Sequence, residues 1–172
     1  MPTMHEGHAM HRKGKLLFLC GKMAAGKSTL SRALAERDDA VLLVLDDLLE
    51  ALYEEIVDIA SFVTYSARIR EALTPHLCTL LSRGVSVVLD FPGNTRKQRA
   101  WFRQLCQQAG VEHELHFIDA SDELCKRQLK ERSQSLPAGS RWTTDAEFDS
   151  ITAYFEPPAA DEQFNVIHHE RS

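Results

Sequence analysis

The residues best placed to do chemistry form one short run, Gly21-Lys22-Met23-Ala24-Ala25-Gly26-Lys27-Ser28, which reads G-x-x-x-x-G-K-S. Each residue type in it meets a requirement of polyphosphate binding. Gly21 and Gly26 let the backbone curl without Cβ clashes, so successive N–H groups can point inward at phosphate oxygens. A helix starting at the end of the run adds the positive end of its dipole. Lys27 then reaches the β- and γ-phosphates, and the Ser28 hydroxyl is placed to ligate Mg²⁺. Gly21 through Thr29 is therefore the expected binding segment for a nucleoside triphosphate, with ATP and Mg²⁺ as the expected ligands.

The rest of phosphoryl transfer is positioning, charge neutralisation and a group to receive the nucleophile's proton. Asp46 follows the apolar run Ala40–Leu45, and a carboxylate at a strand end can accept a proton from an attacking hydroxyl. The same residue, or Asp47, could also cap the helix that begins near Leu48. Asp90 ends Val85–Leu89, apolar residues followed by an acid in the manner of a Walker B strand. Its expected role is to bind Mg²⁺ with Ser28, directly or through water, the alternative being a cap on the turn before Asn94. Arg132 lies where a helix passes into a Gly-, Pro- and Ser-rich loop, the place for a lid arginine that closes on the γ-phosphate. Arg127 is the second choice there, beside Lys126, Lys130 and Arg141. Arg96, Lys97 and Arg99 either contact an acceptor phosphate or line a helix.

These residues need elements to hold them. Lys15–Cys20 is a buried-strand-length apolar run before the glycine loop, and Ser28–Arg37 after it has helical spacing at Leu30, Ala33 and Leu34. Ala40–Leu45 and Val85–Leu89 read as further strands, Glu114–Ile118 as a fourth and Phe164–His168 as a fifth. Between them the spacing predicts helices over Asp47–Tyr53, Ser66–Ser82, 95–109, Asp122–Arg132 and a capping-box helix from Thr144 to Tyr154. Pro75 is expected to kink or divide the second of these, and Gly84 follows its end. Residues 54–62 carry no regular pattern, and Gln134–Thr143 reads as a loop. Strands that alternate with helices and are apolar on both faces argue a parallel α/β sheet in three layers. Ligands of such sheets bind at the strand C-termini, where Gly21, Asp46 and Asp90 fall.

A chain of 172 residues is one domain of ordinary soluble composition. Its formal net charge of −5 argues against a general nucleic-acid or membrane surface. Four scattered cysteines without a C-x-x-C pair read as reduced thiols of a cytoplasmic protein rather than a metal or redox site. No stretch reaches membrane-span length. Residues 1–14, with His5, His8 and His11 three apart, are expected to be a flexible tail rather than a metal site, and 15–172 the single folded domain.

With these residues in place, the chain resembles the small P-loop kinases of the zeta-toxin, chloramphenicol phosphotransferase and polynucleotide-kinase group. The likeness runs from about Lys15 to His168. It is carried by Gly21–Ser28, by Val44-Leu45-Asp46, and by Asp90-Phe91-Pro92-Gly93-Asn94-Thr95-Arg96-Lys97-Gln98-Arg99. The resemblance implies a P-loop NTPase fold with strand order 2-3-1-4-5 and a short lid after the fourth strand. It also implies that Asp46 deprotonates the acceptor hydroxyl, the acceptor being a small molecule, a nucleotide or a nucleic-acid end. The chain departs from the group at Gln128, four positions before Arg132, where such lids often carry a second arginine. A different class of function uses the same loop: a nucleotide-dependent switch, or a slow NTPase acting on a protein partner through Leu48–Arg70. A polynucleotide kinase would need a basic groove near Arg96–Arg103.

Overall fold

Leu16 to Cys20 are all fully buried, Leu16, Phe18 and Cys20 packing on one side and Leu17 and Leu19 on the other. That two-sided burial is why the run reads as unbroken apolar sequence. In the computed structural model, which describes residues 12–56, 58–139 and 143–172, it is strand β1 (Leu16–Gly21) at the centre of a five-stranded sheet. The other strands are β2 (Val41–Val44), β3 (Val87–Asp90), β4 (His113–Ala120) and β5 (Val166–Arg171), in the order β2-β3-β1-β4-β5 with every pair parallel. The expected order is the observed one.

Helix α1 (Lys27–Asp38) covers Leu17, Leu19 and Val88 through Leu34. On the opposite face, α2 (Leu45–Leu52), α3 (Ile59–Ser82) and α4 (Arg96–Ala109) bury Leu49, Leu77, Leu81, Phe102 and Leu105 against Phe18 and Leu89. Helices α5 (Asp122–Gln134) and α6 (Asp145–Thr152) close a smaller cluster around Phe148, which also takes in Ala25 of the glycine loop. Helices α4, α5 and α6 have the side-chain caps that their residue types favour. Thr95 accepts from Gln98 N, Ser121 from Leu124 N, and Thr144 forms a capping box with Glu147.

Several elements differ from expectation, β5 among them, which runs Val166–Arg171 rather than Phe164–His168. Helix α3 begins at Ile59, capped by Asp58, rather than at Ser66. Its first turns carry Ile59 and Val63 exposed, 82% and 56%, which hides the helical period from a reading that assigns apolar residues to the inside. It also runs unbroken through Pro75. Pro75 and Glu71 are both exposed, so the carbonyl that loses its N–H donor can turn to water. Strand β2 stops at Val44, and Leu45 already begins α2. Leu45 and Leu49, one helical turn apart, are 1% and 2% exposed, and their shared burial draws the helix start back to Leu45.

All four cysteines are free, and burial pushes the Cys20 and Cys106 thiols up to about 11, which makes them packing residues. Among the described residues no helix is long and apolar enough to cross a membrane. The expected histidine tail (His5, His8, His11) and Arg141 lie outside the described residues.

Candidate active site

The strand ends place the site. Gly21 closes β1 and Asp90 closes β3, while Val44, paired with Asp90 in register, leads directly into α2. Between Gly21 and α1 the chain turns through two left-handed residues, Ala24 at φ 59° and Gly26 at φ 106°. A left-handed alanine is strained by about 1–2 kcal/mol, a cost tolerated where the loop must curl around an anion. Gly26 is the N-cap of α1 and offers no side chain, so the first N–H groups of that helix have no side-chain cap. That is the state in which they can serve a phosphate.

Lys27 donates from Nζ to the Gly21 carbonyl and, at 2.8 Å, to the Lys22 carbonyl. Burial holds its pKa below the usual lysine range against the pull of Asp90, and the Arg132 charge acts in the same downward direction as burial. Arg132 itself is exposed in the last turn of α5. The Asp90 carboxyl is pushed up by burial, while Lys27 and the Ser31 and Ser28 hydroxyls oppose the shift and the Asp46 charge adds to it. Ser31 Oγ reaches Asp90 Oδ2 at 3.3 Å and the Ser28 carbonyl at 2.9 Å. The strand ends thus bring Lys27, Ser28 and Asp90 to one edge, with Asp46 following Val44 beside them.

Several positions carry corrections. Asp46 lies in the first turn of α2, not at the end of a strand, and it caps nothing, because the N-cap is Val44 without a side-chain bond. Asp46 and Asp47 instead sit where a helix dipole favours acids. Asp46 is exposed and lines a cleft of about 350 Å³ with Leu49, Glu50, Tyr53, Glu54, Ile56 and Phe62. Lys22 contributes its carbonyl to the loop, but its ammonium turns away to Asp122 at 2.6 Å and the Ala120 carbonyl at 3.3 Å. Met23 packs toward the Phe148 cluster, Ala24 and Ala25 are buried, and Ser28 and Thr29 are exposed in the first turn of α1. Arg127 is exposed on α5.

The Arg96–Arg103 stretch does not form a basic groove. Arg99 is fully buried and bidentate on Glu162, Arg96 pairs bidentate with Asp161, and Arg103 lies over the Phe164 ring at 4.5 Å. These arginines fasten the segment 156–164 to α4. Two residues with no assigned role touch the loop. Asn94 Oδ1 accepts from Gly21 N at 2.9 Å, and Arg171 Nη1 donates to the Ala25 carbonyl at 2.7 Å. Asn94 stood in a quoted motif, so a signal existed. Arg171 had none, lying 146 positions from Ala25.

This sheet order, with a glycine loop between β1 and α1, defines a P-loop nucleotide-binding domain of the kinase type. The chain belongs to the AAA_33 family, an AAA domain, which matches residues 16–158. No curated protein sequence matches it. Among solved structures it is similar to a candidate kinase of Chloroflexus aurantiacus j-10-fl, at 19% identity and TM-score 0.70, over 92% of this chain and 89% of that one. It is also similar to the Mycobacterium tuberculosis APS kinase CysC in complex with AMPPNP and APS, at 18% identity and TM-score 0.55, over 83% and 98% of the two chains. A gluconokinase of Sinorhizobium meliloti 1021 gives 12% identity and TM-score 0.56, over 91% and 83%. At these identities the likeness is one of fold.

Proposed function

We propose that the protein is an ATP-dependent kinase that transfers the γ-phosphate to a hydroxyl of a small molecule or nucleotide, with a nucleic-acid end as the less favoured acceptor. The observation that carries this reading is the position of Asp46. It opens α2 within electrostatic reach of Asp90, at the mouth of a cleft and on the same sheet edge as the glycine loop. A water-activating switch has no need of such a cleft beside its acid. The acceptor hydroxyl gives its proton to the Asp46 carboxylate as its oxygen bonds to the γ-phosphorus. The bond to the β–γ bridging oxygen breaks, and ADP leaves.

The loop amides and Lys27 hold the triphosphate, and Arg132 neutralises charge on the transferring group. Ser28 and Asp90 are the residues that would hold Mg²⁺. One hydroxyl and one carboxylate suit an ion that keeps most of its waters, and among the described residues no denser acidic or histidine cluster competes for it. When bound with the nucleotide, the ion supplies charge neutralisation on the phosphates. Four scattered cysteines without a C-x-x-C pair accord with a reducing, cytoplasmic setting. Arg99, Arg96 and Arg103, engaged within the chain, lend nothing to a nucleic-acid acceptor.

The test is incubation with γ-labelled ATP and Mg²⁺ across nucleosides, oligonucleotide 5′ ends, UDP-sugars and aminoglycosides, with Asp46→Ala alongside. Label should move to one acceptor class and fall by about 10²–10⁴-fold in the variant, with ATP binding unchanged. Free phosphate as the sole labelled product, equal in both proteins, would overturn the base assignment and indicate a switch.

A further inference from the structure

We propose that Arg171 is a positioning residue for nucleotide binding, acting through the backbone of the phosphate loop; the inference rests on the loop's reading as a triphosphate site. Arg171 ends the edge strand β5, and the ladder to β4 fixes its backbone. It pairs with Ala120 in register, and its carbonyl accepts from Ser121 N at 3.1 Å. From this anchored position Nη1 reaches the Ala25 carbonyl at 2.7 Å. The approach is close enough that a Cβ at Gly26 would come within 2.3 Å of that nitrogen. Gly26 is therefore favoured for its left-handed φ of 106°, and a side chain there would push the guanidinium off the Ala25 carbonyl.

The consequence follows from peptide geometry. In a trans peptide the C=O and N–H point in opposite directions. A donor fixed on the Ala25 carbonyl from outside the loop turns the Gly26 N–H to the other side, into the space where phosphate oxygens sit. A charged donor also polarises the peptide, which strengthens that N–H as a donor in turn. Lys27 cannot keep this function, because it must leave the Gly21 and Lys22 carbonyls to engage phosphate. Arg171 holds a carbonyl that the ligand does not use, and so acts in both the empty and the loaded loop.

The experiment measures calorimetric affinities of Arg171→Ala and Arg171→Lys for two probes with Mg²⁺, ATP and inorganic tripolyphosphate, with Lys27→Ala as control. Thermal unfolding is followed without ligand. Arg171→Ala should weaken both probes by the same factor, about tenfold or more, with the lysine variant recovering part of the loss and both unfolding cooperatively. Unchanged affinities beside a lowered unfolding temperature would overturn the proposal and leave Arg171 a structural staple. A loss for ATP but not for tripolyphosphate would also overturn it, because the residue would then act on the base or ribose. If the wild-type protein binds neither probe, the triphosphate reading itself fails.

Discussion

Arg99→Met isolates the contact that fastens the C-terminal segment to the site. The Arg99 side chain is fully buried and that of Glu162 is 8% exposed. The guanidinium donates to both Glu162 carboxylate oxygens, at 2.8 and 2.9 Å, and to the carbonyls of Gly93, Glu156 and Pro157. Methionine fills similar space and leaves a buried carboxylate and three carbonyls without that donor. Breaking one side of a buried pair costs about 3–5 kcal/mol, a large share of the roughly 5–15 kcal/mol that a domain has in total. Urea unfolding followed by Trp101 fluorescence should show that loss. Arg99→Met/Glu162→Gln, which removes the stranded charge, should recover at least about 1 kcal/mol of it. The pH dependence carries a second signature. Burial pushes the Glu162 carboxyl up, but the Arg99 hydrogen bonds, the Ala159 N–H and the Arg99 and Arg96 charges outweigh it, so its pKa is lowered from 4.5. In the native protein that stability is present above pH 4.5 and is lost as pH falls through the lowered value. Without Arg99, burial is opposed only by the Ala159 N–H and the Arg96 charge and the pKa rises, so the gap between variant and native protein should narrow toward acid. A loss below about 1 kcal/mol, or a double variant no better than the single, would refute the reasoning.

The same sign governs the charged network at the base of the sheet. Asp38 is drawn down to about 2, first by its hydrogen bond from Arg37. Glu114 reaches about 2 because bonds from Lys15, Arg37 and His116 outweigh a burial that pushes it up. Their contribution should be complete above pH 4.5 and fade as pH falls toward about 2, so Lys15→Met should move the acid-unfolding midpoint upward by circular dichroism. An unmoved midpoint would show that the network is not coupled to folding. Ser66, 2% exposed within α3, has a hydroxyl with no partner among the described residues. Ser66→Ala should leave thermal stability unchanged or raise it by up to ~1 kcal/mol, and a clear loss would mean the hydroxyl has a partner after all.

What the sequence made legible is the part fixed by local rules. The glycine loop, the strand runs and the Thr95, Ser121 and Thr144 caps each follow from residue types within a few positions. The start of α2 was not legible, because only the joint burial of Leu45 and Leu49 draws the helix back across Asp46. The fate of Arg99 was not legible either. A basic residue in a basic stretch reads as surface until a carboxylate 63 positions away closes over it. Arg171 is the extreme case, since no local pattern marks a residue whose role depends on β5 lying beside β4.

The loop's outward-facing groups are held from three separate places. Asn94, after β3, takes the Gly21 N–H; Asp122 and the Ala120 carbonyl, after β4, take the Lys22 ammonium; Arg171, at the end of β5, takes the Ala25 carbonyl. None of these contacts uses the N–H groups at the start of α1 or the Lys27 ammonium. A loop backbone ordered in advance avoids the cost of ordering on binding, so its amides are suited to act as a fixed receptor while Lys27 exchanges the Gly21 and Lys22 carbonyls for phosphate. The residues proposed to act on the transferring group are arranged otherwise. Asp46 is exposed on a short helix of eight residues, and Arg132 is exposed at the end of α5. Substitutions around the strand ends should therefore register as nucleotide affinity, and those at Asp46 and Arg132 as turnover.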